Sequence, residues 1–259
     1  MTQTVAVANQ KGGVAKTTTV HSLGAALAEK GRRVLLVDLD PQACLTFSMG
    51  VDPDALDVSL YEVLTGKADV TDARRHVDGM DLLPSSIDMA GAEVHLLTRP
   101  GREYALSRAL DVIRSDYDFV LIDCPPSLGI LTINGLTAAG GVLVPLQCET
   151  LSHRGVGQLM ETIADVRSFT NPGLEVVGVV ATMFDPRTRL AQETLAAVGT
   201  NYGLAVLEPP VPKSVRVAEA PGRGCSVLQH APRSPSAEAY RALAALIDSQ
   251  PAGRKGRSR

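Results

Sequence analysis

The stretch VAVANQKGGVAKTTT at residues 5–19 decides the fold of this chain. A short apolar run leads into two adjacent glycines, and a lysine followed by threonines then opens a helical pattern. Gly12 and Gly13 allow backbone N–H groups to turn inward around a phosphate, and the N-terminus of the next helix adds donors and a favourable dipole. The order of strand, glycine loop and helix therefore predicts a phosphate-binding loop.

This loop departs from the common pattern G-x-x-x-x-G-K-[ST], because Gln10 and Ala15 stand where the two outer glycines are expected. Within the pattern, Lys16 reaches the β- and γ-phosphates and Thr17 ligates Mg²⁺. Thr18 is placed to hydrogen-bond the α-phosphate. We expect Ala15 to take the right-handed helical conformation, which tolerates its methyl group. Taken alone, the same letters also fit a chance glycine–lysine string in an unrelated loop.

Two further apolar runs end in carboxylates. The run RVLLVDLDPQ at 33–42 carries Asp38 and Asp40 two positions apart, so both side chains point the same way at the end of a strand. The run FVLIDCPPS at 119–127 places Asp123 at the end of another strand, where a carboxylate holds Mg²⁺ through water. Open α/β sheets bind ligands at this edge. We expect Asp40 to orient the attacking water and Asp38 to support the Mg²⁺ shell, although a lone strand-terminal Asp is often only a helix cap.

Short β-branched runs alternate with helical stretches along the whole chain, which is typical of βαβ units. The pattern predicts one doubly wound α/β domain with a mostly parallel sheet over residues 1–250, followed by a basic disordered tail at 251–259. In the helix predicted at 152–169, an apolar stripe ending at Phe169 is expected to face the core. Strands are predicted at 4–8, 33–38, 80–83, 119–123, 141–145, 175–182 and 204–207. Helices are predicted at 16–30, 101–115, 131–138, 152–169, 190–201 and 236–249.

Composition limits the class of protein. The hydrophobic share of 45% is enough for a core, and the near absence of aromatic residues is typical of buried parallel strands. Four widely spaced cysteines without a C-x-x-C pair indicate reduced thiols, not disulfides or a metal site. No basic segment precedes the first strand, so no signal peptide is expected, and no apolar run approaches the ~18 residues of a membrane span.

Charge is divided unevenly along the chain. Residues 1–186 carry 14 basic and 23 acidic side chains, whereas residues 187–259 carry 11 basic and 5 acidic ones. This asymmetry favours an anionic partner for the last third of the chain. The alternative is that the positive charges of the tail PAGRKGRSR are only solvated.

Taken together, the motifs resemble the deviant Walker A ATPases of the P-loop NTPase class, and most closely the chromosomal ParA/Soj partition proteins. The resemblance spans nearly the whole chain. It rests on the segments NQKGGVAKTTT, RVLLVDLDPQ, LLPSSIDMAGAE, LIDCPPSLGILTINGL, VLVPLQCETLSHRGV, MFDPRT, PKSVRVAEAP and HAPRSPSAEAYRALA.

The resemblance explains the second lysine of the loop. In this family the loop reads K-G-G-x-x-K-[ST], and the first lysine, here Lys11, contacts the phosphates of the partner in an ATP-bound homodimer. A cation at that place can neutralise charge that develops on the γ-phosphate. The implied cofactors are ATP and Mg²⁺, with Lys11, Lys16 and Asp40 as catalytic residues. The loop residues that bind ATP would be Gly12, Gly13, Val14, Ala15, Lys16, Thr17 and Thr18, and the metal residues Thr17, Asp38 and Asp123.

The resemblance also implies an adenine pocket and a DNA-binding surface. The pocket would include Thr182, Met183, Pro212, Val215 and Glu219. The dimer would bind nonspecific DNA through phosphate contacts, which makes binding steeply dependent on salt. A ParB/Spo0J-like protein would stimulate a slow ATPase, in a cytoplasmic, nucleoid-associated setting. The candidate DNA-binding residues are Arg187, Arg189, Lys213, Arg216, Arg223 and Arg233.

Departures from the family pattern leave other functions open. Ala15 replaces a common glycine, which concerns the turnover rate, and only three residues precede the first strand, so the basic extension some relatives use toward ParB is expected to be missing. A MinD-like division-site ATPase would need a membrane-binding amphipathic helix, and SQPAGRKGRSR offers no apolar face. An iron-protein-like electron donor would need clustered cysteines. An orphan regulator of replication initiation remains a further alternative.

Overall fold

The computed structural model describes residues 1–149 and 152–249, without side chains for residues 152–154, so the predicted tail at 251–259 lies outside the described residues. Strands and helices alternate along the described chain. The strands are β1 (Gln3–Val7), β2 (Val34–Asp38), β3 (Arg75–Val77), β4 (Met80–Leu83), β5 (Phe119–Asp123), β6 (Gly141–Gln147), β7 (Glu175–Thr182) and β8 (Val206–Leu207). The helices are α1 (Lys16–Glu29), α2 (Cys44–Ser48), α3 (Leu60–Thr65), α4 (Val70–Ala73), α5 (Met89–Leu97), α6 (Ala105–Ile113), α7 (Ile130–Ala138), α8 (Ser152–Phe169), α9 (Arg189–Tyr202), α10 (Val215–Glu219), α11 (Val227–His230) and α12 (Pro235–Ser249).

The described strands form one sheet in the order β3-β4-β2-β5-β1-β6-β7-β8. Neighbours run parallel except β3 and β4. Asp38 of β2 lies directly beside Asp123 of β5, and Asp123 lies beside Val7 of β1. The register therefore brings the carboxyl ends of three strands, and the loop that follows β1, to one place on the sheet edge.

Successive side chains of the central strands point to opposite faces of the sheet and contribute to two hydrophobic cores. In β2, Leu35 and Val37 pack with residues of α3, α6, α7 and α8 on one face. Val34 and Leu36 pack with residues of α1 and α12 on the other face. Both faces of a parallel sheet are thus covered, which explains why these strands are apolar throughout and confirms the doubly wound prediction. No helix in the described part of the chain is long and apolar enough to span a membrane.

Three predictions about the elements were wrong. Phe169 was expected in the core but is 80% exposed, because it is the last residue of α8, where the apolar stripe no longer faces a neighbouring element. The helix predicted at 101–115 is a regular helix only over Ala105–Ile113, between two 3₁₀ turns. The short elements α2, α3, α4, β3, α10 and α11 were not predicted, since none is long enough to show a clear periodicity. The nine-residue helix α5 was also missed, although α6 and α7 have the same length.

Candidate nucleotide site

The loop after β1 contains two residues with positive φ. Gly13 has φ +74°, and Ala15, just before α1, has φ 64° and ψ 36°, which is the left-handed conformation. The expectation of a right-handed Ala15 is therefore wrong. Its carbonyl accepts a hydrogen bond from Thr19 N at 2.9 Å, so the loop closes directly onto α1. A non-glycine residue in this conformation costs roughly 1–2 kcal/mol, and the loop retains that strain.

The glycines of the loop face open space. A Cβ atom added at Gly12 or Gly13 would meet no atom within 4 Å, and both residues are exposed. The concave side of the loop and the N-terminus of α1 are thus accessible to a ligand. Backbone N–H groups arranged in this way bind anions such as phosphate.

Neighbouring strands fasten the loop in place. The buried Asn9 side chain donates to Pro145 O at 2.7 Å and accepts from Lys11 N at 3.0 Å. From the other side, the Thr182 hydroxyl donates to Val14 O at 3.0 Å. Thr182, predicted for the adenine pocket, therefore has its hydroxyl engaged in holding the loop. Asn9 was missed by the sequence reasoning, although a polar residue directly after a buried strand was a usable signal.

Lys16 lies at the start of α1 with most of its side chain buried. Its Nζ donates to Lys11 O at 3.3 Å. Burial lowers the pKa of Lys16, whereas the nearby carboxylates of Asp123 and Asp40 raise it. Lys16 thus lies between the loop and the carboxylates at the strand ends, where its ammonium would neutralise the charge of a bound phosphate.

Asp38 is fully buried and extensively hydrogen-bonded. Its Oδ1 accepts from Asp40 N at 3.1 Å, and its Oδ2 accepts from Thr46 N at 2.8 Å and Thr46 Oγ1 at 2.7 Å. Burial raises the pKa of Asp38 to about 7, while the bonds from Thr46 act in the opposite direction. Because its oxygens already have partners, Asp38 fits a role in the outer shell of a cation better than direct ligation.

Asp123 lies beside Asp38 and is equally buried, but neither of its carboxylate oxygens has a hydrogen-bond partner among the described residues. Burial raises the pKa of Asp123 well above its usual range and the charge of Asp38 adds to this, while Lys16 and the Thr17 hydroxyl, which is close to Asp123 but outside hydrogen-bonding geometry, oppose it. An unpartnered buried carboxylate is costly. The two oxygens lie near Thr17. They suit either direct ligation of a hard cation such as Mg²⁺ or contact with water molecules bound to it.

No cluster of three His, Cys, Asp or Glu side chains suited to a metal occurs in the described residues. This does not conflict with a Mg²⁺ site, because Mg²⁺ is usually held by one or two carboxylates together with water and substrate phosphates. The four cysteines are unpaired, and Cys124 is buried behind Asp123.

Asp40 and Lys11 stand at the mouth of the site. Asp40 is half-buried, and its Oδ1 accepts from Gln42 N at 2.9 Å. Lys11 does not extend into solvent: its Nζ forms an ion pair with Glu149 of the same chain at 2.7 Å. A Lys11 that reaches across to a partner chain must first leave Glu149.

Comparison with known proteins identifies the family. A model of a family described as an AAA domain matches residues 2–176. The chain is 42% identical over 246 residues to the sporulation initiation inhibitor protein Soj of Bacillus subtilis (strain 168), covering 94% of this chain and 97% of that protein. It is 43% identical over 258 residues to the chromosome partitioning protein ParA of Caulobacter vibrioides, covering 98% and 97%. The chain belongs to the ParA/Soj family.

Solved structures agree with this assignment. Cobyrinic acid a,c-diamide synthase from Mycobacterium smegmatis, with bound ADP and magnesium, has a TM-score of 0.85 and 56% identity, covering 95% of this chain and 93% of that one. The same protein has been solved with an ATP analogue and magnesium. The cell division ATPase MinD of Pyrococcus furiosus has a TM-score of 0.75 and 26% identity, covering 96% and 99%. These relatives are P-loop NTPases, and the predicted fold class is confirmed.

The residues that the ParA/Soj resemblance assigns to adenine lie in two places. Met183 follows β7 with φ 49°, and Pro212 lies beside it through a bridge between Phe184 and Pro212. Val215 and Glu219 belong to α10, where Val215 is 73% exposed. Glu219 accepts from Arg216 and contacts His230, each at 3.1 Å, so its carboxylate is engaged within the chain.

The candidate DNA-binding residues of this ParA/Soj chain fall into two groups. Three are paired with acids: Arg187 with Asp185 at 2.8 Å, Arg189 with Glu193 at 3.5 Å, and Arg216 with Glu219 at 3.1 Å. In the described part of the chain, the other three form no ion pair. These three are Lys213, Arg223 and Arg233, which lie between β8 and α12.

Proposed function

We propose that this ParA/Soj-family chain is an ATP-dependent switch that dimerises on ATP, binds DNA without sequence preference and hydrolyses ATP to leave it. The observation that carries the proposal is Asp123, a buried carboxylate with both oxygens unpartnered, placed next to Asp38, Lys16 and Thr17 below an open phosphate loop. A ParB-like protein is the proposed stimulating partner, and the nucleoid in the cytoplasm the proposed location.

Each residue of the site has a separate proposed role. The loop from Gly12 to Thr18 and the Lys16 ammonium bind the phosphates, and Thr17, Asp38 and Asp123 hold the cation. Bound Mg²⁺ would neutralise phosphate charge and orient the β- and γ-oxygens. Asp40, half-buried at the mouth with its backbone fixed, orients the attacking water. Hydrolysis is a proposal for this chain, supported by the fit of these side chains.

Lys11 is the residue through which ATP would promote dimerisation. In the free chain its ammonium is paired with Glu149, and an exposed pair of this kind contributes little to stability. A second chain carrying ATP offers a triphosphate at the same mouth, where Lys11 would exchange one anionic partner for a more highly charged one. The pair with Glu149 therefore holds Lys11 near the position from which it would reach across.

DNA binding is assigned to the basic residues between β7 and α12. Lys213, Arg223 and Arg233 carry charges without ion-pair partners among the described residues, so they can contact phosphates at no cost in broken pairs. The other three candidates already form ion pairs, which must be shared or broken before these residues contact DNA phosphates. They are Arg187, Arg189 and Arg216. Contacts of this class carry no sequence information, and their affinity falls steeply with salt.

The test is retention of the full chain on a DNA duplex of arbitrary sequence with ATP, ADP or no nucleotide, at low and high salt. Retention is expected only with ATP and only at low salt. Asp40→Ala should retain DNA longer with ATP because hydrolysis is slowed to a low residual rate, and Lys11→Ala should bind ATP but neither dimerise in light scattering nor retain DNA. Lys67→Ala, on a lysine over the Tyr61 ring, is the matched control. Equal retention in all three nucleotide conditions would overturn the proposal.

A second candidate rests on the 56% identity with the cobyrinic acid a,c-diamide synthase. The same ATP site could serve an ATP-dependent amidation of a carboxylate. ATP turnover that rises with cobyrinic acid and ammonia or glutamine, but is unaffected by DNA, would favour this activity. ATP-dependent binding to anionic vesicles in place of DNA would favour the MinD-like alternative.

A further inference from the structure

A closed ring of hydrogen bonds joins the candidate catalytic segment to two residues that the sequence analysis assigned no role, Thr46 and Ser85. The Thr46 hydroxyl donates to Asp38 Oδ2 at 2.7 Å and accepts from Ser85 N at 2.9 Å. The Ser85 hydroxyl donates to Asp40 O at 2.8 Å. Asp40 N donates to Asp38 Oδ1 at 3.1 Å, which completes the ring.

The ring ties together three separate pieces of chain. Asp38 ends β2, Thr46 belongs to α2, and Ser85 follows β4, the neighbour of β2 in the sheet. Both Thr46 and Ser85 are fully buried. Loss of the Thr46 hydroxyl would leave the buried Ser85 N–H without its acceptor, whereas loss of the Ser85 hydroxyl would leave Asp40 O with the bond from Ala43 N alone.

The ring fixes the backbone of Asp40. Its backbone is held at both ends: its N–H donates to Asp38 Oδ1, and its C=O accepts from the Ser85 hydroxyl and from Ala43 N. Asp40 is half-buried at the mouth, and among the described residues its carboxylate accepts one hydrogen bond, from Gln42 N. The direction of that carboxylate is therefore set mainly by its fixed backbone.

We propose that Thr46 and Ser85 are positioning residues, which hold the segment of Asp38 and Asp40 in the geometry needed to orient the attacking water. This inference rests on the proposed ATPase function. Thr46 acts on the Asp38 side chain and Ser85 acts on the Asp40 backbone, and neither reaches the substrate. A displacement of a catalytic group by as little as ~1 Å can cost about 100-fold in rate, so a lost bond in the ring should appear in kcat.

The experiment compares Ser85→Ala, Thr46→Val and Thr46→Ser in the full chain, with kcat and KM for ATP, thermal unfolding, and the affinity of a fluorescent ATP analogue over a Mg²⁺ titration. Ser85→Ala removes only the bond to Asp40 O and should lower kcat about 10-fold with KM within about twofold. Thr46→Val should lower kcat further and raise the Mg²⁺ midpoint, whereas Thr46→Ser, which keeps the hydroxyl, should restore both. Thr65→Val is the matched control, because it deletes a buried threonine hydroxyl that donates to Tyr61 O.

A double substitution separates positioning from a general loss of stability. In an Asp40→Ala background, Ser85→Ala should cause no further loss of kcat, since it acts through Asp40. A further loss equal to that of the single variant, or kcat and a Mg²⁺ midpoint unchanged in both Ser85→Ala and Thr46→Val, would overturn the inference. If the wild-type chain hydrolyses no ATP, the proposed function fails, and the Mg²⁺ midpoint of the Thr46 variants then decides the role of the ring by itself.

Discussion

The carboxyl edge of the sheet and the basic segment at 185–233 use charge in opposite ways. At the sheet edge, Asp38 and Asp123 are fully buried, and burial is the main cause of their raised pKa values. In the basic segment, Asp185 is half-exposed, and the hydrogen bonds from Arg187 lower its pKa to about 2. Desolvation at the sheet edge is a cost that a bound cation can relieve, whereas the ion pairs of the basic segment are screened by solvent.

This difference predicts where substitutions matter. Buried polar groups have no water to replace a lost partner, so each change should alter stability or binding measurably. Exposed pairs contribute little by themselves and should matter only when a polyanion competes for the arginine. Three predictions test the contrast, and they are taken from the largest expected effect to the smallest.

His21 should make the chain sensitive to acid. It is buried on α1 near the site, its Nδ1 contacts Ser48 Oγ at 3.1 Å, and burial lowers its pKa from 6.5 to about 4, opposed by Asp78. Between these two values the unfolded chain binds a proton that the folded chain refuses, so stability is lost as the pH falls through this window. The part of this loss due to His21, which is the difference between the wild type and a variant without the histidine, should be about 2 kcal/mol between about pH 7.5 and pH 5. The raised pKa values of Asp38 and Asp123 act in the opposite direction in both chains.

The measurement is thermal or urea unfolding across that pH range for the wild type and His21→Leu. The variant should lose the acid-sensitive component, so the two curves converge at low pH. Parallel curves for wild type and His21→Leu would show that His21 does not titrate in this way.

Ala15→Gly should stabilise the chain. The left-handed conformation of Ala15 is unfavourable for alanine and free for glycine, although glycine adds entropy to the unfolded state. The net gain should be about 0.5–1 kcal/mol, or about 1–4 °C in Tm. Ala28→Gly, the same exchange inside α1, should destabilise by about 1 kcal/mol. A loss of stability in both variants would contradict the strain assigned to the loop.

Asp185→Asn should have the smallest effect on stability of these variants, and it should measurably change the ATP-dependent retention of the chain on DNA. Asp185 holds Arg187 through two side-chain hydrogen bonds at the surface, so Tm should not change measurably. Freed from its acid, Arg187 should strengthen ATP-dependent DNA retention about twofold to threefold at low salt, and the gain should vanish at high salt. Glu161→Gln, on the surface of α8, is the control. Weaker DNA retention in Asp185→Asn would place this pair outside the DNA-binding surface.

The sequence located the strand ends and the loop because each combines a clear apolar run with a chemically distinctive terminus. It did not show the left-handed Ala15, since that conformation depends on how α1 closes onto the loop through Thr19. It did not show the ring through Thr46 and Ser85 either, because α2 is too short for periodicity and its partner lies far along the chain. The pairs of Arg187 and Arg216 were within reach of the sequence, since their acids stand two and three positions away.

The register that places Asp38 beside Asp123 has a consequence for synthesis of the chain. The phosphate loop leaves the ribosome first, but β5, which lies between β1 and β2, follows only after residue 118, and Thr182, which fastens the loop, comes later still. A nascent chain shorter than this has the glycines and Lys16 without the strand that completes the site. The full set of site residues is therefore assembled only after β7 has been synthesised.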